Sequence, residues 1–319
     1  MLFRSRVGFR LRWVLELREP GLMRIVKLML PAVVGLSATQ INIFINTFYA
    51  SSCTQGSVSW LNYAYRLFHL PMGLFGVALM VATLPVVSRH AANHDLPALK
   101  EALESSLTLS LLITLPAACG LIFLAQPIIA LIYQHGQFTA MDTQQTAAAL
   151  ALYSLGLVAF AAVKIMVPVF YALDDTRMPV LGSFVAVGAN LLFINLTLAP
   201  LQHRAIALAT SLSMIGNFLF LAAVLYHKLS GYRVKSLLGT LAKVAGASLI
   251  MGLAVSGLYP VMAAWFGGSL AGRGLALLSV ILAGMGLYVA LACRLGIPEF
   301  QELLRHVRDR VSRLKGGGA

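Results

Sequence analysis

Charge is scarce in this sequence. Only 11% of its 319 residues are Asp, Glu, Lys or Arg, against 59% hydrophobic, where a soluble domain carries about 25% and about 45–50%. That balance excludes a soluble enzyme, because a domain of this length hides only about 75% of its surface and would leave broad apolar patches in water. Acid is scarcer still. All eleven carboxylates, Glu16, Glu19, Asp95, Glu101, Glu104, Asp142, Asp174, Asp175, Glu299, Glu302 and Asp309, lie between long apolar runs or at the chain ends. With none at membrane depth, proton relays and intramembrane acid–base enzymes lack their ionisable groups. Asp174-Asp175 has no second acidic cluster to complete a metal shell, so it reads as a helix cap. Cysteine is limited to positions 53, 119 and 293, a spacing that fits neither a zinc site nor a disulfide framework. Walker A, GxGxxG, GxSxG and HExxH patterns are missing from any usable context, so nucleotide hydrolysis and a bound cofactor or metal are not expected.

What the chain does have is eight apolar runs near the length of about 20 residues that a bilayer core requires. They cover roughly 28–50, 58–87, 107–133, 145–172, 179–200, 205–227, 237–265 and 272–293. The expected fold is therefore an all-α polytopic membrane protein, and an even number of spans puts both termini on one side. Of the 24 Lys and Arg residues, all but four fall on that side: Arg204 and Arg273 lie on the other, and Arg66 and Lys164 lie within spans. Cation excess marks the cytoplasmic face, so both termini are expected in the cytoplasm, and the net charge of +13 reflects topology rather than nucleic-acid binding. The organisation read from this pattern is a basic segment 1–27, a six-span lobe 28–228, a terminal hydrophobic pair 229–294 and a basic tail 295–319 suited to anionic headgroups. Met1 to Arg24 holds six arginines and no apolar stretch of signal-peptide type. Leu2-Phe3-Arg4-Ser5 matches one reading frame of a common sequencing adaptor, so the native chain is expected to begin upstream. Residues 98–103 suggest a small surface helix in the longest connection, and Thr139 with Asp142 suggests a capped start to span four.

The polar residues inside the spans carry the functional signal. Arg66 stands nine residues into its span, about 13 Å along a helix, on a face that reads Ser59, Asn62, Arg66, His69, Gly73, Gly76. A charge at the centre of the bilayer costs at least about 2.5–3.5 kcal/mol unless it snorkels or meets water; the continuous polar stripe favours an anion-binding arginine on a wet cavity. For Lys164, cavity and snorkelling both remain open. His69, alone, reads as an interhelical hydrogen bonder, and its place one turn from Arg66 adds a ligand reading. Span one carries Thr39, Asn42 and Asn46, span five Ser183 and Asn190, and span six Thr210, Ser213 and Asn217; helix packing and cavity lining are equally open for these amides. Spans seven and eight hold only scattered serines. Prolines at 71, 85, 116, 127 and 168 suggest kinked helices of the kind a rocking transporter uses.

Gln40-Ile41-Asn42 through Ala50-Ser51, Gly56-Ser57-Val58-Ser59-Trp60-Leu61-Asn62-Tyr63-Ala64-Tyr65-Arg66-Leu67, Leu70-Pro71-Met72-Gly73-Leu74-Phe75-Gly76 and Leu84-Pro85 resemble the MurJ/MviN lipid II flippases. Gly136-Gln137-Phe138-Thr139, Tyr153-Ser154-Leu155-Gly156-Leu157, Lys164 to Ala172 and Asp175-Thr176-Arg177-Met178-Pro179 continue the match in order. The resemblance covers about residues 20–300. It implies a MOP-superfamily transporter of the bacterial inner membrane that moves the undecaprenyl-diphosphate-linked peptidoglycan precursor outward by alternating access, and it places this chain at spans seven to fourteen of that family. It also implies a diphosphate-binding role for Arg66 and a need for the first lobe; the polar faces read above add Asn62, His69, Lys164, Asn46 and Asn190 as candidate substrate-binding residues. Two departures stand out. Tyr65 replaces the acid that commonly precedes the arginine, and Asn46, Asn190 and Ile194 stand where some members carry acidic sodium ligands, which argues against sodium coupling there. Another MOP-type exporter, of lipid-linked polysaccharide or drugs, and a non-transporting membrane scaffold are the alternatives.

Overall fold

The computed structural model describes residues 20–296 and Phe300. The basic segment is thus described only from Pro20, and the tail expected over 295–319 lies outside the described residues beyond Gly296 except for Phe300. The chain is helical throughout the described part, and the connections are short. α1 (Pro20–Ser51) covers the first apolar run. α2 (Ser57–Pro71), a π-helical turn (Met72–Gly76) and α3 (Val77–Ala92) make the second, α4 (Leu96–Phe123) and α5 (Ala125–Tyr133) the third, and α6 (Ala140–Ser154) and α7 (Leu157–Ala172) the fourth. α8 (Arg177–Leu201), α9 (His203–Lys228), α10 (Val234–Phe266) and α11 (Leu270–Arg294) complete it. Six described stretches are long and apolar enough to cross a membrane, the α6–α7 pair bent by 42° makes a seventh, and the 32 residues of α1 cover the remaining run. The chain is an all-α polytopic membrane protein.

Two expectations about the connections differ from the structure. The surface helix expected at 98–103 is the first part of α4, which runs unbroken from Leu96 because Asp95 caps it through the Ala98 amide. Leu99 and Leu103 are fully buried against Phe170 and Leu225, so this segment is part of the bundle rather than a linker on its surface. The bend in span four is not at a proline but at Ser154–Gly156. There α7 and α9 approach so closely that a Cβ on Gly156 would sit 2.9 Å from Ser211, and the Ser211 hydroxyl donates to the Leu152 and Tyr153 carbonyls exposed by the break. Pro71 leads directly into the π turn, a common site of local helix distortion. Pro127 sits in the first turn of α5, where a missing N–H costs nothing.

The bundle buries three apolar clusters, two within the six-span lobe and one joining it to the terminal pair. That third cluster packs α10 and α11 on α4. Its polar anchor is the Tyr288 hydroxyl, which donates to the Leu112 carbonyl at 2.7 Å. Leu112 is four residues before Pro116, so the proline ring deletes the backbone donor this carbonyl would otherwise receive. Tyr288 of α11 supplies the replacement. Tyr288→Phe is therefore expected to lower stability by about 1–3 kcal/mol, the cost of a buried acceptor left unpaired. In a Pro116→Ala background the restored amide would serve Leu112, and the same change should cost much less. Denaturant unfolding in detergent of the four proteins of this cycle measures the coupling, and equal costs in both backgrounds would refute it.

Candidate substrate face and cavity

At the end of the bundle that carries the α1–α2 connection, Trp60 ties three helix starts together. Gly56 adopts φ 97°, and a side chain there would meet the indole ring at 2.7 Å, so this glycine lets the chain turn closely over Trp60. The indole N–H donates to Asp142 at 2.7 Å, and the ring lies 5.0 Å from that of His203 at the start of α9. The capping box at Thr139 and Asp142 forms as the spacing suggests. The Thr139 hydroxyl and backbone N–H, followed by Trp60, hold Asp142 below the ordinary value of 3.8. The ionised carboxylate is thus the form the fold prefers, and its contribution is complete above the ordinary value and disappears as pH falls through the lower folded one. Asp142→Asn is expected to flatten the acid limb of a stability-against-pH curve below about pH 4; an unchanged limb would remove the assigned role. At the opposite end Lys228 pairs with Asp175 at 2.7 Å, while Asp175 also accepts from the Arg177 and Met178 amides and so caps α8.

Between these ends, α2 presents its polar face outward. Ser59, Asn62, Arg66 and Gly73 are exposed and His69 is half-buried, the face expected from helical spacing. Among the described residues, Arg66 makes no hydrogen bond or ion pair, and its nearest ring contact is Tyr63, 6.0 Å from the guanidinium. Lys164 of α7 is half-buried and has no acceptor among the described residues. Phe160, one turn before Lys164, packs on Phe68 next to His69 with ring centroids 5.2 Å apart, so α7 brings Lys164 beside α2.

The asparagines divide into two roles. Asn190 of α8 is fully buried and donates to Asn42 at 2.7 Å and Asn46 at 2.8 Å, both on α1. Asn46 in turn donates to Thr210 of α9 at 3.1 Å. This relay clasps α1, α8 and α9 with neutral amides. Asn190 is enclosed by it and does not line the adjoining cavity, whereas Asn46 and Asn62 do. The cavity is about 140 Å³, with walls from α1, α2, α8 and α9 and contributions from Tyr153 and Phe160. Tyr65, noted in the sequence only as a replacement for an acid, lines the cavity; Tyr153 and Phe160 were not marked as walls, because aromatic residues in apolar runs give no signal that separates a wall from the core. The relay contains no carboxylate: the Asn190 and Asn46 amide nitrogens point their hydrogens at the other members, and the buried Asn190 amide oxygen has no partner among the described residues.

Solved transporters of the MOP superfamily share this helical fold. A MOP transporter from Pyrococcus furiosus has the same fold, with a TM-score of 0.58 at 18% identity over 84% of this chain and 63% of that one. The chain belongs to the MurJ lipid II flippase family: residues 1–275 match the family described as "Lipid II flippase MurJ". It is similar to the probable lipid II flippase MurJ of Rhizobium meliloti, 34% identical over 313 residues, and to that of Vibrio cholerae, 30% identical over 296. These alignments cover 96% and 93% of this chain but 57% and 56% of the relatives. The chain therefore spans about half the length of these curated relatives. A solved structure of lipid II flippase MurJ in an inward closed conformation superposes with a TM-score of 0.72 at 25% identity, over 95% of this chain and 59% of that one.

Proposed function

We propose that this chain is the C-terminal half of a lipid II flippase, with spans corresponding to seven to fourteen of the family, and that it works with a first lobe to move undecaprenyl-diphosphate-linked peptidoglycan precursor across the bacterial inner membrane. The observation that carries the reading is the unpaired Arg66 guanidinium on the exposed polar face of α2 in a chain of this family. A planar fork of donors suits a diphosphate, and no acid of the described residues competes for it. Asn62, His69 and Lys164 extend the face that meets the headgroup. Asn46 contributes its exposed edge, and Asn190 holds Asn42 and Asn46 in place.

The end bearing Asp175, Lys228 and Arg233 faces the cytoplasm in this reading, with both termini there, because cations concentrate on that side. Lys235 and Lys243, exposed at the start of α10, rest on anionic lipid headgroups. A single lobe offers one wall of a passage, so alternating access requires the second. The test is complementation in cells depleted of their own flippase. This chain joined behind the first lobe of a relative is expected to restore growth. Failure of the fusion, despite its insertion in the membrane, would count against the reading.

A further inference from the structure

We propose that the cavity between α1, α2, α8 and α9 is a saccharide subsite, which takes the N-acetylated sugar ring next to the lipid diphosphate; this rests on the reading of Arg66 given above. The lining contains no Asp, Glu, Lys, Arg or His, so the cavity has nothing to neutralise an anion. The lining also lacks a carboxylate to hold a small cation, and the Arg66 guanidinium on the same helix opposes one. An alkyl chain would strand the amides without partners. What fits is a neutral ligand rich in hydrogen-bond groups.

The hydrogen-bond inventory points to the same class. Thr47, Ser183 and Ser213 turn their hydroxyl hydrogens to carbonyls of their own helices, which leaves their oxygens free as acceptors. Asn217 is 4% exposed and its amide oxygen has no partner. The Asn42 amide nitrogen and the hydroxyls of Tyr65 and Tyr153 donate to nothing among the described residues. At membrane depth such groups are satisfied only by water or a ligand. The cavity holds many times the roughly 10–15 Å³ that one water needs. Its Tyr65, Tyr153 and Phe160 rings supply flat apolar surface opposite the amides of α1 and α9, a pairing suited to a sugar, which has a C–H face and a rim of hydroxyl and acetamido groups. The position is right as well. Asn62 lines the cavity and Arg66 follows one turn later, about 6 Å along the helix, a spacing comparable to that between a diphosphate and the ring it carries.

The test measures binding of two probes to the purified chain in nanodiscs: undecaprenyl diphosphate, and undecaprenyl diphosphate bearing one N-acetylhexosamine. Asn217→Ala and Tyr153→Phe are each expected to weaken the sugar-bearing lipid by about tenfold and to leave the bare lipid within about twofold, whereas Arg66→Ala weakens both. Tyr153→Phe keeps the packing and preserves the test if Asn217→Ala fails to fold. Equal affinity of the unmutated protein for the two lipids, or cavity variants that weaken both alike or neither, would overturn the subsite. An Arg66→Ala protein that binds both lipids normally would instead overturn the diphosphate reading, and the ring-dependent difference would still decide the cavity.

Discussion

Arg66→Ala is expected to weaken binding of an undecaprenyl-diphosphate lipid by about 10- to 100-fold while leaving the protein folded and inserted. The size follows from the chemistry. A hydrogen bond to a charged group contributes about 1.5–3 kcal/mol, and each 1.4 kcal/mol is a factor of about ten. The side chain is exposed and makes no ion pair among the described residues, so its removal opens no cavity and strands no buried charge; the stability change should stay within about 0.5 kcal/mol. Arg66→Lys keeps the charge but loses the planar fork, and an intermediate affinity is expected. In the flipping reaction the alanine variant should fail to support growth. Full complementation by a protein lacking this arginine would remove it from the mechanism.

The second large effect is on stability and lies in the amide relay. Asn190→Ala removes the donor to both Asn42 and Asn46, leaving two acceptors in a helix interface without a protein partner. At about 1–3 kcal/mol for each unsatisfied buried group, and nearer the lower end where the unfolded chain in a membrane also finds partners, the loss should be about 2–4 kcal/mol. The effect should localise: α1 has α8 as its main neighbour in the lobe, so hydrogen exchange should rise first in α1. Because the relay contains no carboxylate, replacing sodium with potassium is expected to leave the melting temperature of the unmutated protein unchanged. A sodium-dependent rise in melting temperature would show that the relay opens around an ion.

Much of this arrangement was legible in the sequence, for a physical reason. A polar residue in a 20-residue apolar run is costly, so Thr39, Asn42, Asn46, Ser183, Thr210, Ser213 and Asn217 marked three helix faces before any fold was known, and the structure brings all three to one cavity. Arg66, Asn62 and His69 were legible by helical spacing in the same way. The partition of the amides was not: nothing in the spacing distinguishes Asn190, enclosed on α8 and donating to both α1 amides, from Asn217, which lines the cavity. That distinction depends on the rotation of helices about their axes, which distant contacts fix. The bend of span four was equally hidden, because it arises from a Gly156–Ser211 contact between residues far apart in sequence, where proline would have been the local cue. Tyr288 shows the converse: Pro116 announced a carbonyl without a donor, but only the packing of α11 on α4 identifies the hydroxyl that serves it.

Site-directed photocrosslinking in native membranes tests the central claim most directly. A photoreactive residue at position 62, on the face that holds Arg66, is compared with one at position 249, exposed on α10. Lipid II labelled in its headgroup should be recovered from position 62 and not from position 249. Headgroup label recovered equally from both positions, or from position 249 alone, would contradict the assignment of the α2 face to the diphosphate-linked substrate.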